Sequence, residues 1–255
     1  MKRSLIIAFA ASFFLACNMQ KRADTASKVD DTTGNSATAS ASTAQAAPPT
    51  EAEAQKIVGS YVGAFGDNKI TLLVTKVSGN SVSGRTIVGG NDRPFDGTYT
   101  FENAAYTVVA NEPGDHKDDG VFKFSVNADD PSKLQGTWKA DDPKRPEKSY
   151  TLERRKFEYR TNVGNWPEAS TRLLKTDDVE NLSADELQSM RNEIFARHGY
   201  CFSKKDLRQE FEKANWYVPN TTDIKGYLTD IEKKNIALIK RYEKYAEEYG
   251  DEYGR

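Results

Sequence analysis

Cysteine and histidine are scarce in this chain of 255 residues. Cysteine occurs only at Cys17 and Cys201, and histidine only at His116 and His198. Structural zinc takes four well-spaced ligands, so we expect no metal site and no other cofactor from so small a set. The sequence around Cys17 indicates that its sulfur is used for lipid attachment, as argued below. Only the Cys201 thiol then remains, so no intramolecular disulfide is expected. The folded part must therefore be stabilised by hydrophobic cores.

The chain also lacks a surplus of basic residues. It contains 36 Lys and Arg against 38 Asp and Glu, which gives a formal net charge of −2. Proteins that bind nucleic acid usually present a basic stripe that displaces counterions from the phosphates. We therefore exclude nucleic acid as a partner.

No apolar run in the sequence reaches the ~20 residues that a membrane-spanning helix needs. The apolar run Leu5–Ala16 follows Lys2 and Arg3, an order typical of a secretory signal peptide. The run ends in Phe-Leu-Ala directly before Cys17, which resembles the bacterial lipobox. The resemblance implies that residues 1–16 are removed and that Cys17 carries a diacylglycerol with palmitate-type chains. The product would be a lipoprotein of the bacterial cell envelope, anchored to a membrane and facing the periplasm or the cell exterior. The alternative is an ordinary signal peptide that is cut elsewhere.

Residues 17–56 form the predicted tether between the lipid and the folded part. The segment is rich in Ala, Ser, Thr and Asp, contains Pro48-Pro49 and lacks aromatic residues. Such a composition cannot bury enough apolar surface to fold, so we expect a disordered tether. The membrane is then a partner only through the lipid on Cys17.

Residues 57–156 alternate between apolar and polar side chains with the period of a β-strand. The alternation is clearest in Val121–Val126, and clusters of Gly, Asn and Asp separate eight candidate strands. No helical pattern interrupts them, so the strands should pair antiparallel with their neighbours. The pattern predicts an eight-stranded antiparallel barrel or a two-sheet sandwich, and we favour the barrel. Its interior either is filled by side chains, Trp138 among them, or holds one small apolar ligand.

The acidic loop Glu112–Gly120 invites comparison with a calcium site. A calcium loop of the helix-loop-helix type has oxygen ligands at its first, third and fifth positions and a glutamate at its twelfth. Counted from Asp115, the third position is Lys117 and the twelfth is Val126. Because the spacing fails, we expect a solvated loop without metal.

Helical signals replace the strand pattern after a predicted linker, residues 157–172. Two capping boxes, one starting at Ser183 and one at Thr229, each place a glutamate three residues further on. The predicted helices are Ala184–His198, Lys204–Asn215 and Asp230–Tyr249, and residues 250–255 form a tail. We expect a small all-α domain of three helices over residues 173–249, which makes the chain an α+β protein of two domains.

The third predicted helix has an apolar seam of helical spacing. Its expected buried residues are Ile231, Leu238, Tyr242, Tyr245 and Tyr249, with Asn235 as the one polar member. Each of the three helices has an incomplete apolar face, so we expect them to share one core.

The segment Arg191–Tyr200 reads Arg-Asn-Glu-Ile-Phe-Ala-Arg-His-Gly-Tyr. It closely resembles the YARHG domain, with Phe195 in place of the tyrosine of that name. The resemblance covers Leu174 to Tyr245 and implies an extracellular domain of bacterial envelope proteins that has no catalytic assignment. The candidate partner-binding residues are Arg191, Asn192, Glu193, Arg197, His198, Gly199 and Tyr200. The alternative is that these residues form a hydrogen-bond network that pins neighbouring helices.

Only His198 and Cys201 suggest nucleophilic chemistry. A histidine can activate a thiol, but such a site also needs a group that orients the histidine and donors that stabilise the oxyanion. The sequence shows no pattern that would supply these groups. We expect His198 to sit in the last turn of a helix and Cys201 to be a small buried residue. The sequence therefore favours a non-catalytic binding module whose partner is an envelope protein or glycan. The alternatives are a carrier of a small apolar ligand and, less favoured, a Cys/His hydrolase.

Overall fold

The computed structural model describes residues 50–114 and 118–249. The predicted signal peptide, Cys17 and most of the predicted tether lie outside the described residues, as do His116 and the tail 250–255. Among the described residues, no helix is both long and apolar enough to cross a membrane.

The end of the predicted tether is helical, which differs from the sequence prediction. Helix α1 (Glu51–Ala54) begins with a capping box that starts at Thr50 and continues into a 3₁₀ turn that ends at Ile57. Ala54 and Ile57 are fully buried in the core of the β region. Ala54 within the predicted tether, together with Ile57 directly after it, thus anchors this end of the segment by apolar burial.

Eight strands form a closed antiparallel barrel, as predicted. They are β1 (Gly59–Phe65), β2 (Asn68–Ser78), β3 (Ser81–Val88), β4 (Asn91–Glu102), β5 (Ala105–Asn111), β6 (Gly120–Asn127), β7 (Lys133–Ala140) and β8 (Lys148–Arg154). Each strand pairs with the next along the chain, and β8 closes the barrel against β1, where Tyr61 lies opposite Arg154. Short connections between successive strands favour this pairing of sequence neighbours.

Side chains fill the barrel interior. In β6, Phe122 and Phe124 are buried while Lys123 between them is exposed, as the alternation predicts. The ring centroid of Phe122 lies 6.2 Å from that of Phe65 and 6.2 Å from that of Trp138. Such separations are those of rings in contact. Trp138 is therefore a core residue, as predicted.

The predicted solvated loop is buried at both of its described ends, which corrects the prediction. Glu112 is 9% exposed and Asp119 is 6% exposed. Glu112 accepts hydrogen bonds from Trp138 Nε1 (3.2 Å) and Thr86 Oγ1 (3.3 Å), and Asp119 pairs with Arg93. Burial raises the pKa of Glu112, and the hydrogen bond from Trp138 opposes that rise. The partners come from distant strands, so the composition of the loop gave no sign of them.

The C-terminal region, described as far as Tyr249, contains four α-helices where the sequence predicted three. They are α2 (Glu168–Thr171), α3 (Ala184–Arg197), α4 (Lys205–Phe211) and α5 (Asp230–Tyr249), with a 3₁₀ turn at Thr176–Asp178 between α2 and α3. The predicted bounds of α3 and α5 agree to within a residue. Helix α4 ends at Phe211 and not at Asn215, and α2 falls within the predicted linker. A helix as short as α2 carries no periodic pattern that a sequence could reveal.

The buried face of α5 overlaps only in part with the predicted one, since Asn235 is buried as predicted and Leu238 and Tyr242 pack against the core. The buried residues are Glu232, Asn235, Ile236, Ile239 and Glu243. Leu238 and Tyr242 are half-buried, whereas Tyr245 and Tyr249 are 61% and 64% exposed. The prediction followed apolar spacing alone and therefore included the tyrosines and neither glutamate. Both buried carboxylates are stabilised by cationic or hydrogen-bonding partners on α3.

The helical region covers one side of the barrel. Val62, Thr71 and Ile87 are cross-strand neighbours on the outer face of β1, β2 and β3, and all three are buried. Thr71 Oγ1 donates a hydrogen bond of 2.5 Å to the Pro219 carbonyl. Lys69 Nζ donates to two further carbonyls of the helical region at 3.0 and 3.3 Å. The barrel and the helical region therefore share an apolar interface edged by hydrogen bonds.

Candidate functional site

The motif segment Arg191–Tyr200 spans the second half of α3 and the turn that ends it. His198 is the C-cap, and Gly199 follows with a φ of +71°, the left-handed conformation expected of a helix-ending glycine. A Cβ at Gly199 would lie 2.8 Å from the Val218 carbonyl oxygen. The Gly199 carbonyl also accepts a hydrogen bond of 2.8 Å from Asn220 N–H. The glycine thus ends α3 and allows a second chain segment to approach it closely.

Arg197 is buried and connects three parts of the helical region. Its Nε donates to the Val163 carbonyl at 2.9 Å, and its two terminal nitrogens donate to Ser170 Oγ at 3.0 Å and Glu193 Oε2 at 2.6 Å. The Glu193 carboxylate also accepts from the backbone N–H of Asn165 at 2.6 Å. Burial lowers the pKa of Arg197, and the Glu193 carboxylate opposes that shift. The pair attaches the segment before α2 to α3.

A second buried carboxylate, Glu232, joins the start of α5 to the end of α3. Its Oε2 accepts a hydrogen bond of 2.8 Å from His198 Nε2, and its Oε1 accepts from Ser170 Oγ at 2.8 Å and Tyr159 OH at 3.0 Å. Burial by itself raises the pKa of Glu232, but the hydrogen bonds to its carboxylate, that of His198 foremost, lower it to about 2. The His198 ring stacks on Tyr159 with 4.4 Å between centroids. Ser170 links the two carboxylates because its hydroxyl also accepts from Arg197.

Arg191 pairs with a different carboxylate of α5. Its Nε and one terminal nitrogen donate to the two oxygens of Glu243 at 2.9 and 2.8 Å, a bidentate contact. Its other terminal nitrogen donates to Asn192 Oδ1 at 3.2 Å. Asn192 is 2% exposed, and its Nδ2 has no hydrogen-bond partner among the described residues. In the Asn192 side chain, the acceptor Oδ1 is therefore bound by Arg191, while the donor Nδ2 is unused.

A groove of about 240 Å³, which we call the α3 groove, lies beside this end of the motif. Its walls include Arg191, Asn192 and Phe195 of α3 and Tyr200, Lys204 and Leu207 from the chain that follows. Of the predicted partner-binding residues, Arg191, Asn192 and Tyr200 therefore line the groove. The others, Glu193, Arg197, His198 and Gly199, belong to the buried contacts that hold α3 in place. The motif thus divides into a structural set and a groove-lining set.

Cys201 is buried at the interface with the barrel. Its Sγ accepts a hydrogen bond of 3.1 Å from the Gly90 N–H in the β3–β4 turn. Burial raises the pKa of the thiol to about 11, which disfavours the reactive thiolate. His198, the candidate base for this thiol, uses its Nε2 to donate to Glu232 instead. Among the described residues, no group of three or more His, Cys, Asp or Glu side chains is arranged to hold a metal ion.

The carboxylates that complete these contacts were missed at the sequence level. Glu232 was noted only as part of a capping box, and Glu243 was given no role. A signal did exist, because Glu232, Asn235, Ile239 and Glu243 recur at intervals of three or four residues. They therefore share one helix face, and a carboxylate on the face that packs against α3 requires a partner there.

The architecture is that of a closed β-barrel followed by a small helical domain whose largely buried ion pairs and groove involve the second half of α3. Residues 164–244 match the YARHG domain, and the helical region is therefore a YARHG domain. The match begins before the predicted boundary and takes in α2 together with the backbone N–H groups that bind Glu193. Comparison with curated proteins and with solved structures gives no match.

Proposed function

We propose that this chain is an exported, lipid-anchored protein of the bacterial cell envelope whose YARHG domain binds an envelope partner without catalysis. The observation that carries the binding proposal is that Asn192 lines the α3 groove and has a buried Nδ2 without a hydrogen-bond partner among the described residues. Leaving a buried donor without an acceptor costs about 1–3 kcal/mol, and few such groups occur in native proteins. A partner that supplies an acceptor to this nitrogen would remove that cost.

The absence of catalysis is supported by the state of the two reactive side chains. Cys201 is buried with a raised pKa, and His198 is engaged with Glu232. A thiol hydrolase needs both groups free to act together on a substrate. The geometry therefore supports binding better than nucleophilic chemistry.

A carrier function for the barrel has less support. The aromatic rings of Phe65, Phe122 and Trp138 contact one another inside the barrel, and Tyr150 packs against the first two with centroid distances of 5.7 and 6.1 Å. A ligand in this interior would have to displace packed rings, which costs contacts on every side. The YARHG domain is therefore the part of the chain to which we assign binding.

The envelope location rests on the lipobox-like sequence before Cys17. Metabolic labelling with a fatty-acid analogue tests it directly. We expect label on the wild-type protein and none on Cys17→Ser. Unlabelled wild-type protein, or label retained after the substitution, would remove the lipid anchor from the proposal.

A pull-down from native envelope extract tests the binding function. The bait is the full-length protein as wild type, as Asn192→Leu and as the control Lys205→Gln, which alters an exposed residue next to the groove. We expect one partner to be retained by the wild type and the control and lost from Asn192→Leu. If every partner is retained equally by all three baits, the α3 groove is not the binding site.

A further inference from the structure

We propose that the α3 groove binds the terminal carboxylate of a peptide whose last side chain is apolar. This inference rests on the proposed binding function and names the ligand class of the same site. Three features of the groove lead to it: a buried donor, an excess of positive charge and an apolar wall.

The buried donor requires an acceptor oxygen in the ligand. Asn192 is the least exposed polar residue of the groove, and its Oδ1 is occupied by Arg191. The N–H groups of its amide are therefore the unused part of this side chain, and they can be satisfied by an oxygen acceptor but not by another donor.

The charge of the groove indicates that this oxygen carries a negative charge. The lining includes the cationic side chains of Arg191 and Lys204 and no carboxylate. Glu243 balances Arg191, whereas Lys204 is exposed and forms no ion pair with any described residue. One unmatched cation therefore lines the same groove as Asn192. A ligand carboxylate would accept hydrogen bonds from the Lys204 ammonium group and from the Asn192 amide.

The remaining wall of the groove is apolar. Phe195, Phe202 and Leu207 contribute to it, and Phe202 is almost fully buried. The volume of about 240 Å³ lies below the range of roughly 300–1,000 Å³ for small-molecule pockets. A groove of this size accommodates the end of a chain better than a whole ligand of ordinary size. A carboxylate with one apolar side chain next to it is the end of a peptide.

Peptide binding to the purified full-length protein tests the proposal. The probe is the N-acetylated tripeptide glycine-glycine-leucine with a fluorescent label on its acetyl group, compared as free acid and as C-terminal amide. A third peptide ends in lysine in place of leucine and keeps the free carboxylate. We expect the acid that ends in leucine to bind about tenfold or more tightly than either of the other two, because each lacks one charged or apolar contact. Equal binding of acid and amide, or no binding of any of them at millimolar concentration, would overturn the proposal.

Two variants connect the peptide to the groove. Asn192→Leu keeps a similar volume and removes the donor, and Lys204→Gln removes the unmatched charge at an exposed position where folding is not at risk. Each should weaken binding of the acid about tenfold, and Lys204→Gln should also reduce the preference for acid over amide. The matched control is Lys205→Gln, which changes an exposed lysine outside the groove lining and should bind like the wild type. Unchanged affinity in both groove variants would also overturn the proposal.

The pull-down separates failure of this inference from failure of the proposed function. If the peptides fail but Asn192→Leu still loses a partner from the extract, the α3 groove binds a ligand of another class. If the peptides fail and all baits retain the same proteins, the binding function of the groove fails as well.

Discussion

His198, the C-cap of α3, donates a hydrogen bond of 2.8 Å to Glu232 in the first turn of α5. The same carboxylate accepts from the backbone N–H of Thr229 at 2.9 Å, which is how a capping box begins a helix. One buried side chain therefore ties the end of one helix to the start of another. The charge state of Glu232 should therefore affect the stability of the contact between α3 and α5.

We predict that the free energy of unfolding falls at acid pH because of Glu232. Its folded pKa of about 2 lies below the ordinary value of 4.5. The contribution is thus fully present above the unfolded pKa and is lost as the pH falls toward the folded pKa. A shift of this size corresponds to about 3 kcal/mol. Urea unfolding of the wild type and of Glu232→Gln, from pH 7 down to about pH 3, measures it.

The difference in stability between wild type and Glu232→Gln should shrink steadily as the pH falls below about 5. Other carboxylates, such as Asp178 with its pKa lowered by Arg172, also titrate in acid, so the difference is the informative quantity. Glu247→Gln, at an exposed position of α5, should keep the wild-type acid profile. A constant difference across the pH range would show that the charge of Glu232 does not contribute.

We predict that Arg197→Met destabilises the protein by about 3–5 kcal/mol, because it leaves the Glu193 carboxylate buried without its cation. Arg197→Lys should also destabilise, since an ammonium group cannot reach three separate acceptors in the plane of a guanidinium. Chemical unfolding provides the measurement. Arg241→Met, at an exposed position of α5, serves as the control and should change stability by less than about 0.5 kcal/mol. Similar values for Arg197→Met and the control would contradict the network.

Opposite faces of α5 should respond differently to truncation. Ile239 is fully buried, so Ile239→Ala should cost about 2–5 kcal/mol. Tyr245 is largely exposed, so Tyr245→Ser should change stability by about 0.5 kcal/mol or less. Thermal or urea unfolding of the two variants decides between this face and the tyrosine seam that the sequence predicted. A larger loss for Tyr245→Ser would favour the seam.

The residues of α5 show which structural features could be predicted from the sequence alone and which could not. The bounds of α5 were predictable because Thr229 and Glu232 form a local capping pattern. The buried face was not predictable from apolar spacing, because it contains charged residues whose partners lie far away in the sequence. The closed barrel followed from eight alternating segments with short turns, since neighbouring strands then have only each other to pair with.

The residues of the motif were likewise only partly assignable from the sequence. The motif identified Arg191 and Asn192 as candidates, but it also selected Arg197 and His198, which are structural. Only the folded positions of Ser170 and Glu232 reveal that the latter pair is already satisfied.

We predict that Gly90→Ala loosens the interface between the barrel and the YARHG domain. Gly90 has a φ of +84°, and a Cβ there would lie 2.6 Å from the Ser203 Cα. Gly79→Ala is the control, because Gly79 also has a positive φ but no atom within 4 Å of the added Cβ. The control should lose about 1–2 kcal/mol from backbone strain alone, and Gly90→Ala should lose more.

Labelling of the Cys201 thiol provides a second measurement of that interface. In a Cys17→Ser background, Gly90→Ala should speed alkylation of Cys201, whose sulfur accepts the Gly90 hydrogen bond. Gly79→Ala should leave the labelling rate unchanged. Equal losses of stability and equal labelling rates in the two variants would argue against close contact at this turn.

The central claim is that the YARHG motif contains a structural set and a binding set of residues. The most direct test compares Asn192→Leu with wild type for both melting temperature and partner retention from envelope extract. The account predicts that Asn192→Leu melts close to the wild-type temperature and loses the partner. The gain from removing an unsatisfied buried donor offsets the lost hydrogen bond from Arg191, which keeps its two bonds to Glu243. A variant that melts well below the wild type yet retains every partner would show that Asn192 is structural and contradict the account.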